Sequence, residues 1–191
     1  PNSYHSYGVF SIMSELRTNR IVPRDGLTSG TGIGGGIIQV KSVTKTDVFD
    51  TQSTTLVDVP GLAVTITPTR SDSKILVMVS IAMGQATANF SYGCLIRGST
   101  RIFVGDTRGN RANMSLMSYD ASNSGICNLQ SFTHMDEPAT TNAVTYKMQV
   151  RCATSGTTTV NRSNRDTDGG SGADSYDTNQ ASSITVMEIS G

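Results

Sequence analysis

The chain has 191 residues, 36% hydrophobic, 16% charged and 6% aromatic, with 19 Gly, 3 Cys and no Trp; its 24 Ser and 25 Thr bring small hydroxyl side chains to about a quarter of the total. That balance excludes a helical bundle or coiled coil, which needs far more Ala, Glu, Leu and Lys, and the regular apolar runs and zero net charge exclude a disordered chain. Fifteen basic against fifteen acidic residues leave no excess for tracking phosphates, so no nucleic-acid partner is expected, and no run approaches the roughly 18 apolar residues of a membrane span.

In chain order, residues 1–35 read as an irregular arm. Pro1 to Phe10 has neither the positive end nor the apolar core of a secretion signal. Leu16 to Val22 has extended character until Pro23 and the Asp25-Gly26 turn signal stop it, and Gly30-Thr31-Gly32-Ile33-Gly34-Gly35-Gly36 reads as a joint. An arm that cannot build its own core must dock elsewhere. Leu16, Ile21, Val22 and Ile33 are therefore expected to dock the arm on the main domain, on a neighbouring copy or on a larger assembly.

Residues 36–191 form the domain proper, and period two dominates it. Strands are expected over 37–48, 53–59, 62–67, 74–83, 90–97, 101–105, 113–119, 126–135, 144–152, 157–162 and 182–189. Between them stand turn signals such as Pro60-Gly61, Ser71-Asp72-Ser73, Gly98-Ser99, Arg108-Gly109-Asn110, Asn123-Ser124-Gly125 and Ser155-Gly156. Val144, Tyr146, Met148, Val150 and Cys152 alternate with Thr145, Lys147, Gln149 and Arg151, as in an antiparallel sheet packed on one face. The 74–83 run is apolar on most of both faces, so it is either central or covered on its second side. Turn signals at roughly 8–12-residue spacing and no helical run predict an all-β, antiparallel, jelly-roll-like β-sandwich. Cys94, Cys127 and Cys152 each fall within a strand and are expected as free, buried thiols. The polar stretch from Ser163 to Gln180 is expected as a long loop.

The chemistry candidates are few. Asp166, Asp168, Asp174 and Asp177 could offer oxygens to calcium, but no Glu closes the loop at EF-hand spacing and a solvated loop carries the same residues. Asp106, Asp120, Asp136 and Glu137 lie near strand ends, where two could pair for sugar cleavage, yet nothing in the sequence shows which two would meet. His5 and His134 have no partner at triad spacing, His134 reads as a partly exposed strand residue, and no His/Cys cluster suggests a metal. No cofactor, metal or catalytic residue is expected. Asn89-Phe90-Ser91, Asn113-Met114-Ser115 and Asn161-Arg162-Ser163 match glycosylation sequons, at a frequency chance allows in a chain this rich in Asn and Ser.

Several separated motifs carry a resemblance. They are Gly36-Ile37-Ile38-Gln39-Val40, Thr44 to Phe49, Val57-Asp58-Val59-Pro60-Gly61-Leu62-Ala63-Val64-Thr65-Ile66-Thr67-Pro68, Ser73 to Val77, Leu95 to Thr100, Val160-Asn161-Arg162 and Ala181 to Ile189. With the leader from Ser14 to Gly26, the chain resembles the C-terminal domain of tail-fibre-like virion proteins of marine tailed bacteriophages, notably those infecting cyanobacteria. The resemblance implies a non-enzymatic structural and adhesive protein, a homotrimer displayed on the virion as an external appendage and assembled in the host cytoplasm. It implies no functional residues of its own.

The leading expectation is an appendage knob whose loop tips contact a host-surface glycan or protein, with the arm joined to other virion proteins and no insertion into a membrane. Polar loop groups beside an aromatic face suit such a ligand, which singles out Arg108, Asn110, Tyr119, Asp120, Asn123, Tyr176 and Asp177. The alternatives are a capsid decoration, head-fibre or tail-adaptor protein without a receptor role, and a glycan depolymerase.

Overall fold

A computed structural model describes residues 36–86, 89–120, 125–165 and 177–190, with the backbone alone at 120. The arm and its Leu16, Ile21, Val22 and Ile33 lie outside the described residues, as do Asn123, Tyr176, the Asp120 side chain and most of the expected calcium loop. The described chain is all-β, with eleven strands and no helix. They are β1 (Ile37–Lys45), β2 (Phe49–Thr51), β3 (Val57–Ile66), β4 (Lys74–Gln85), β5 (Asn89–Arg97), β6 (Thr100–Ile102), β7 (Leu116–Asp120), β8 (Cys127–Asp136), β9 (Val144–Cys152), β10 (Thr158–Val160) and β11 (Ser182–Ile189).

The pairing is nested. β1 pairs with β11, β3 with β9, β4 with β8 and β5 with β7, every pair antiparallel. This is a long two-stranded ribbon folded over on itself, and its pairs alternate between two stacked sheets, which is the jelly-roll winding. The first sheet runs β1-β11-β4-β8; β11 and β8 must lie on opposite edges of β4 because both pair with its residues 75–80. β10 continues beside the far end of β4, and β2 lies beyond it. The second sheet runs β3-β9-β5, and β6 and β7 share the remaining edge of β5.

Period-two patterning decides what lies between the sheets. Ile75, Val77, Val79, Ile81 and Met83 of β4, with Ile184 and Val186 of β11, meet Leu62, Val64, Ile66, Leu95, Tyr146, Met148 and Val150 from the second sheet, all of them buried. Each large aliphatic side chain buried in this way stabilises the fold by about 1.5–3 kcal/mol. The 74–83 run is indeed central, with neighbours on both edges. Its second face, where Leu76 and Met78 lie, is left partly open by the described chain.

Several boundaries differ from the sequence expectation. Pro60-Gly61 does not separate two strands: β3 runs through it, and its register with β9 breaks between Asp58 and Ala63. β3 is an edge strand, so a proline without an N–H costs no ladder bond, and Gly61 takes the left-handed φ of 77° that the irregularity requires. The expected 53–59 strand does not form at its start. There the Ser53 hydroxyl donates to the Thr55 carbonyl at 2.6 Å and accepts from the Thr55 N–H at 3.1 Å, a local turn that competes with the ladder. β1 stops at Lys45, whose Nζ pairs with Asp47 at 2.6 Å. The 101–105 strand ends at Ile102, because Phe103 takes a φ of 53° and stacks its ring on Phe132 with centroids 4.7 Å apart. The 113–119 strand begins only at Leu116, and 157–162 shrinks to Thr158–Val160. Cys94, Cys127 and Cys152 are free thiols as expected, but Cys127 is only half-buried.

A buried carboxylate on β11 ties β1 to the connection between β3 and β4. Glu188 accepts from Gln39 Nε2 at 2.6 Å and from the Thr69 N–H and hydroxyl, both at 2.7 Å. Burial pushes its pKa up, but these donors outweigh burial and bring it from the ordinary 4.5 down to about 2. A carboxylate depressed on folding adds stability above its unfolded pKa and loses it as the pH falls through its folded one. Glu188→Gln is therefore expected to remove about 2 kcal/mol of the stability difference between pH 5 and pH 2. Urea unfolding of both proteins at the two pH values measures this; equal acid losses would contradict it.

Candidate functional site

On the outer face of the second sheet, period two brings three aromatic rings into a row. Phe90 and Tyr92 are two residues apart on β5 and point the same way, while Ser91 and Gly93 point inward. The register of β5 with β7 sets Tyr119 opposite Phe90 and Met117 opposite Tyr92. Phe90 and Tyr119 stack with centroids 4.3 Å apart and planes 21° apart, and Phe90 and Tyr92 follow at 6.4 Å and 13°. On the other side, β9 places Arg151 opposite Tyr92, and its guanidinium carbon lies 4.5 Å above the Tyr92 ring centroid. Arg151 Nη1 donates to the Cys152 carbonyl at 2.9 Å, which holds the guanidinium plane over the ring.

This ladder is open to solvent, with Phe90 37%, Tyr119 45% and Met117 50% exposed. It lies at the end of the sandwich where β5 begins and β7 and β9 end. The described parts of that rim are firmly held. The Ala153 N–H donates to the Phe90 carbonyl at 2.9 Å, the Phe90 N–H donates to Asn89 Oδ1 at 2.8 Å, and Gly156 sits where a Cβ would strike the Asn89 side chain. Rings kept apart from the core in this way offer flat apolar faces with polar edges, and the guanidinium has N–H groups beyond those it gives to carbonyls. Such a surface combines flat apolar ring faces for stacking with hydrogen-bond donors beside them.

Of the residues singled out in the sequence, Tyr119 is thus in the ladder. Arg108 and Asn110 are exposed around Gly109, whose φ is 61°, in the β6–β7 connection, and among the described residues no hydrogen bond or ring contact joins them to Tyr119. Asp177 accepts from Arg165 Nε at 2.9 Å as an ion pair. Sequence reasoning missed Phe90, Tyr92 and Arg151. The Phe90-x-Tyr92 spacing was a readable signal, but Arg151 counted only as one of several polar residues on β9.

The other candidates take structural places. Asp136 faces inward and accepts from Arg97 Nη1 at 2.8 and 3.0 Å and from the Tyr146 hydroxyl at 2.6 Å; burial, then this bond, pushes the Tyr146 phenol well above its ordinary value. Glu137 faces outward and pairs with Lys74 at 3.0 Å, so these neighbouring acids do not form a facing pair. Among the described residues no three His, Cys, Asp or Glu come together as a metal site. Two sequons fall on side chains unavailable in the folded chain: Asn89 is buried, and Asn161 donates both amide hydrogens, to the Lys45 and Asp47 carbonyls. His134 is half-buried on β8, with its ring 5.3 Å from that of Phe103.

Fold and surface together define a jelly-roll β-sandwich with a solvent-facing aromatic ladder at one end. No family model and no curated protein matches the chain. Among solved structures it is similar to the D431N mutant VP2 protein of infectious bursal disease virus in derived T=1 particles, with a TM-score of 0.40 and 13% identity over 91% of this chain and 40% of that one. It is also similar to VP2 of the same virus as a subviral particle, with a TM-score of 0.40, 11% identity and coverage of 91% and 46%. The chain thus spans less than half the length of these VP2 chains, and a likeness this loose assigns no function.

Proposed function

We propose that this chain is a structural protein of a virion, the outward domain of an appendage, and that it holds a host-surface saccharide on the Tyr119–Phe90–Tyr92 ladder. The observation that carries the reading is the ladder itself: a stacked row of exposed aromatic rings with a guanidinium at its margin, on three hydrogen-bonded strands. Jelly-roll sandwiches serve as viral capsid and lectin domains, an analogy that supports the reading at the level of fold only. The tail-fibre resemblance of residues 14–191 supports the virion location. Single saccharide contacts of this kind are weak, and many copies on one particle supply avidity.

The test is binding of the purified chain to host-surface polysaccharide and to host cells, beside a Phe90→Ser/Tyr119→Ser variant. The variant is expected to bind at least tenfold more weakly, with its unfolding midpoint within a few degrees of the parent because both rings are solvent-facing. Absence of binding by the parent chain, or equal binding by the variant, overturns the saccharide reading. In the first case a capsid decoration or tail adaptor without a receptor role takes its place. Release of reducing ends from the polysaccharide would instead make the protein a depolymerase.

A further inference from the structure

At the other end of β5 from the ladder, a guanidinium is built into the wall of a cavity. Arg97 is the last residue of β5, and its Nη1 donates to both oxygens of Asp136, at 2.8 and 3.0 Å, and to the Glu137 carbonyl at 3.5 Å. Asp136 is buried on the opposite sheet and also accepts from the Tyr146 hydroxyl, so the guanidinium is fixed from one side. Its Nε and Nη2, the pair that can grip a carboxylate side-on, have no partner and are open to solvent. Arg97 lines a cavity of about 320 Å³ between the end of β5, the start of β9 and the connection joining β8 to β9. It is the only charged residue there; Pro138, Ala143 and Val144 give the cavity an apolar wall, with Thr140 and Thr145 beside them. The walls are held in place. The Gly98 N–H donates to the Thr145 carbonyl at 2.8 Å, Thr140 Oγ1 accepts from the Asn142 N–H at 3.0 Å, and Ala139 takes a left-handed φ of 51°.

We propose that this cavity binds the carboxylate of a small organic acid, gripped by Arg97 Nε and Nη2, with the body of the ligand against Pro138, Ala143 and Val144. The chain itself shows what such a fork does: Arg70 Nε and Nη2 hold the two oxygens of Asp72 at 2.8 and 2.7 Å. An arginine that served only to neutralise Asp136 would set its fork on it in the same way. Arg97 instead gives Asp136 a single nitrogen and leaves the fork unspent. A planar carboxylate matches that fork with two parallel charge-assisted bonds, whereas a neutral ligand leaves it without an ionic partner. Asp136 also selects the charge of the ligand. Its carboxylate sits on the same guanidinium, so a second negative charge is repelled, and a monocarboxylate is preferred to phosphate. Because Asp136 holds the guanidinium before the ligand arrives, little side-chain freedom is lost on binding. The volume is near the roughly 300 Å³ lower bound of small-molecule sites, which suits one substituted six-membered ring and excludes a row of them.

This inference does not rest on the saccharide reading, and the cavity shares no residue with the ladder. The experiment is titration of the full chain with glucuronate, glucose and inorganic phosphate, followed by nuclear magnetic resonance at the backbone amides and the Arg97 Nε–H. Glucuronate is expected to shift the Arg97 Nε–H, Gly98, Ala143 and Thr145 signals saturably in the millimolar range, with glucose leaving them in place and phosphate binding more weakly. Ala143 is exposed on the cavity wall, so Ala143→Phe fills the space without touching the Arg97–Asp136 pair. That variant is expected to bind glucuronate about tenfold more weakly, and Arg97→Gln to lose it. Phe90→Ser/Tyr119→Ser should leave these shifts unchanged, which separates this site from the ladder. No saturable shift in the parent up to about 100 mM glucuronate, equal shifts with glucose, phosphate bound as tightly, or undiminished binding by Ala143→Phe overturns the proposal. The Ala143→Phe result stands even if Arg97→Gln does not fold.

Discussion

Asn161→Ala is expected to lower the unfolding free energy by about 4 kcal/mol. Asn161 is fully buried at the end of β10, and its backbone φ is 70°. Its Nδ2 donates to the carbonyls of Lys45 and Asp47, both at 2.9 Å, and its Oδ1 accepts from the Ser182 hydroxyl at 2.5 Å. Its backbone N–H donates to the Ala82 carbonyl at 3.0 Å, and its carbonyl accepts from the Gln180 N–H at 2.8 Å. One side chain thus joins the end of β1 to the start of β11, while its backbone joins β4. Removing the amide takes its N–H donors from two carbonyls and the acceptor from the Ser182 hydroxyl, which keeps only the Ala82 N–H at 3.0 Å, at about 1–3 kcal/mol for each group that water does not reach. Alanine also resists the left-handed backbone by about 1 kcal/mol, a cost that Asn161→Gly avoids. The glycine variant should therefore recover about 1 kcal/mol and no more. Urea unfolding of the three proteins measures both differences, and an alanine variant within 1 kcal/mol of the parent would contradict the joining role of the Asn161 side chain.

Asp136→Ala is expected to cost about 3–4 kcal/mol, because it strands two groups at once. The Arg97 side chain is only 31% exposed and the Asp136 side chain 7%, so water replaces little of what the carboxylate supplies. Tyr146 is wholly buried, and its hydroxyl donates to Asp136 at 2.6 Å. Tyr146→Phe removes one donor and leaves Asp136 with Arg97, so it is expected to cost only about 1–2 kcal/mol. The double variant should cost less than the two singles added, since the phenol lost in one is already unpartnered in the other. Strict additivity in urea unfolding would show that the three groups do not act as a unit.

Both sites explain why a correct reading of strands does not yield the polar core. Period-two alternation is written locally, so the runs 74–83, 90–97, 126–135, 144–152 and 182–189 were legible to within two residues at each end. Asp136, Arg97 and Tyr146 lie on three different strands, and each alone read as an ordinary polar or apolar position. Asn161 looked like a sequon because a sequon is a local pattern, whereas its burial comes from β1, β4 and β11 closing around it. The ladder was half legible. Tyr119 could be picked as an exposed aromatic beside a loop, and Phe90-x-Tyr92 shared a face by spacing alone. That those faces meet, and that Arg151 caps them, depended on registers between β5, β7 and β9.

The same division holds for the outer faces of the two sheets. Alternating apolar and small hydroxyl residues, turn chemistry at short intervals and the scarcity of charge were enough to determine a two-layer antiparallel protein without helices, because burial of one side of each strand is a nearest-neighbour property of the chain. Tertiary structure decided which strands became neighbours. It placed Val40 beside Met187, Leu76 and Met135, it made β8 an edge and β4 a centre, and it separated a charged outer face from an uncharged one. A one-residue change of register would turn every one of those side chains to the opposite face, so both surfaces exist only through the long-range pairing that closes the ribbon.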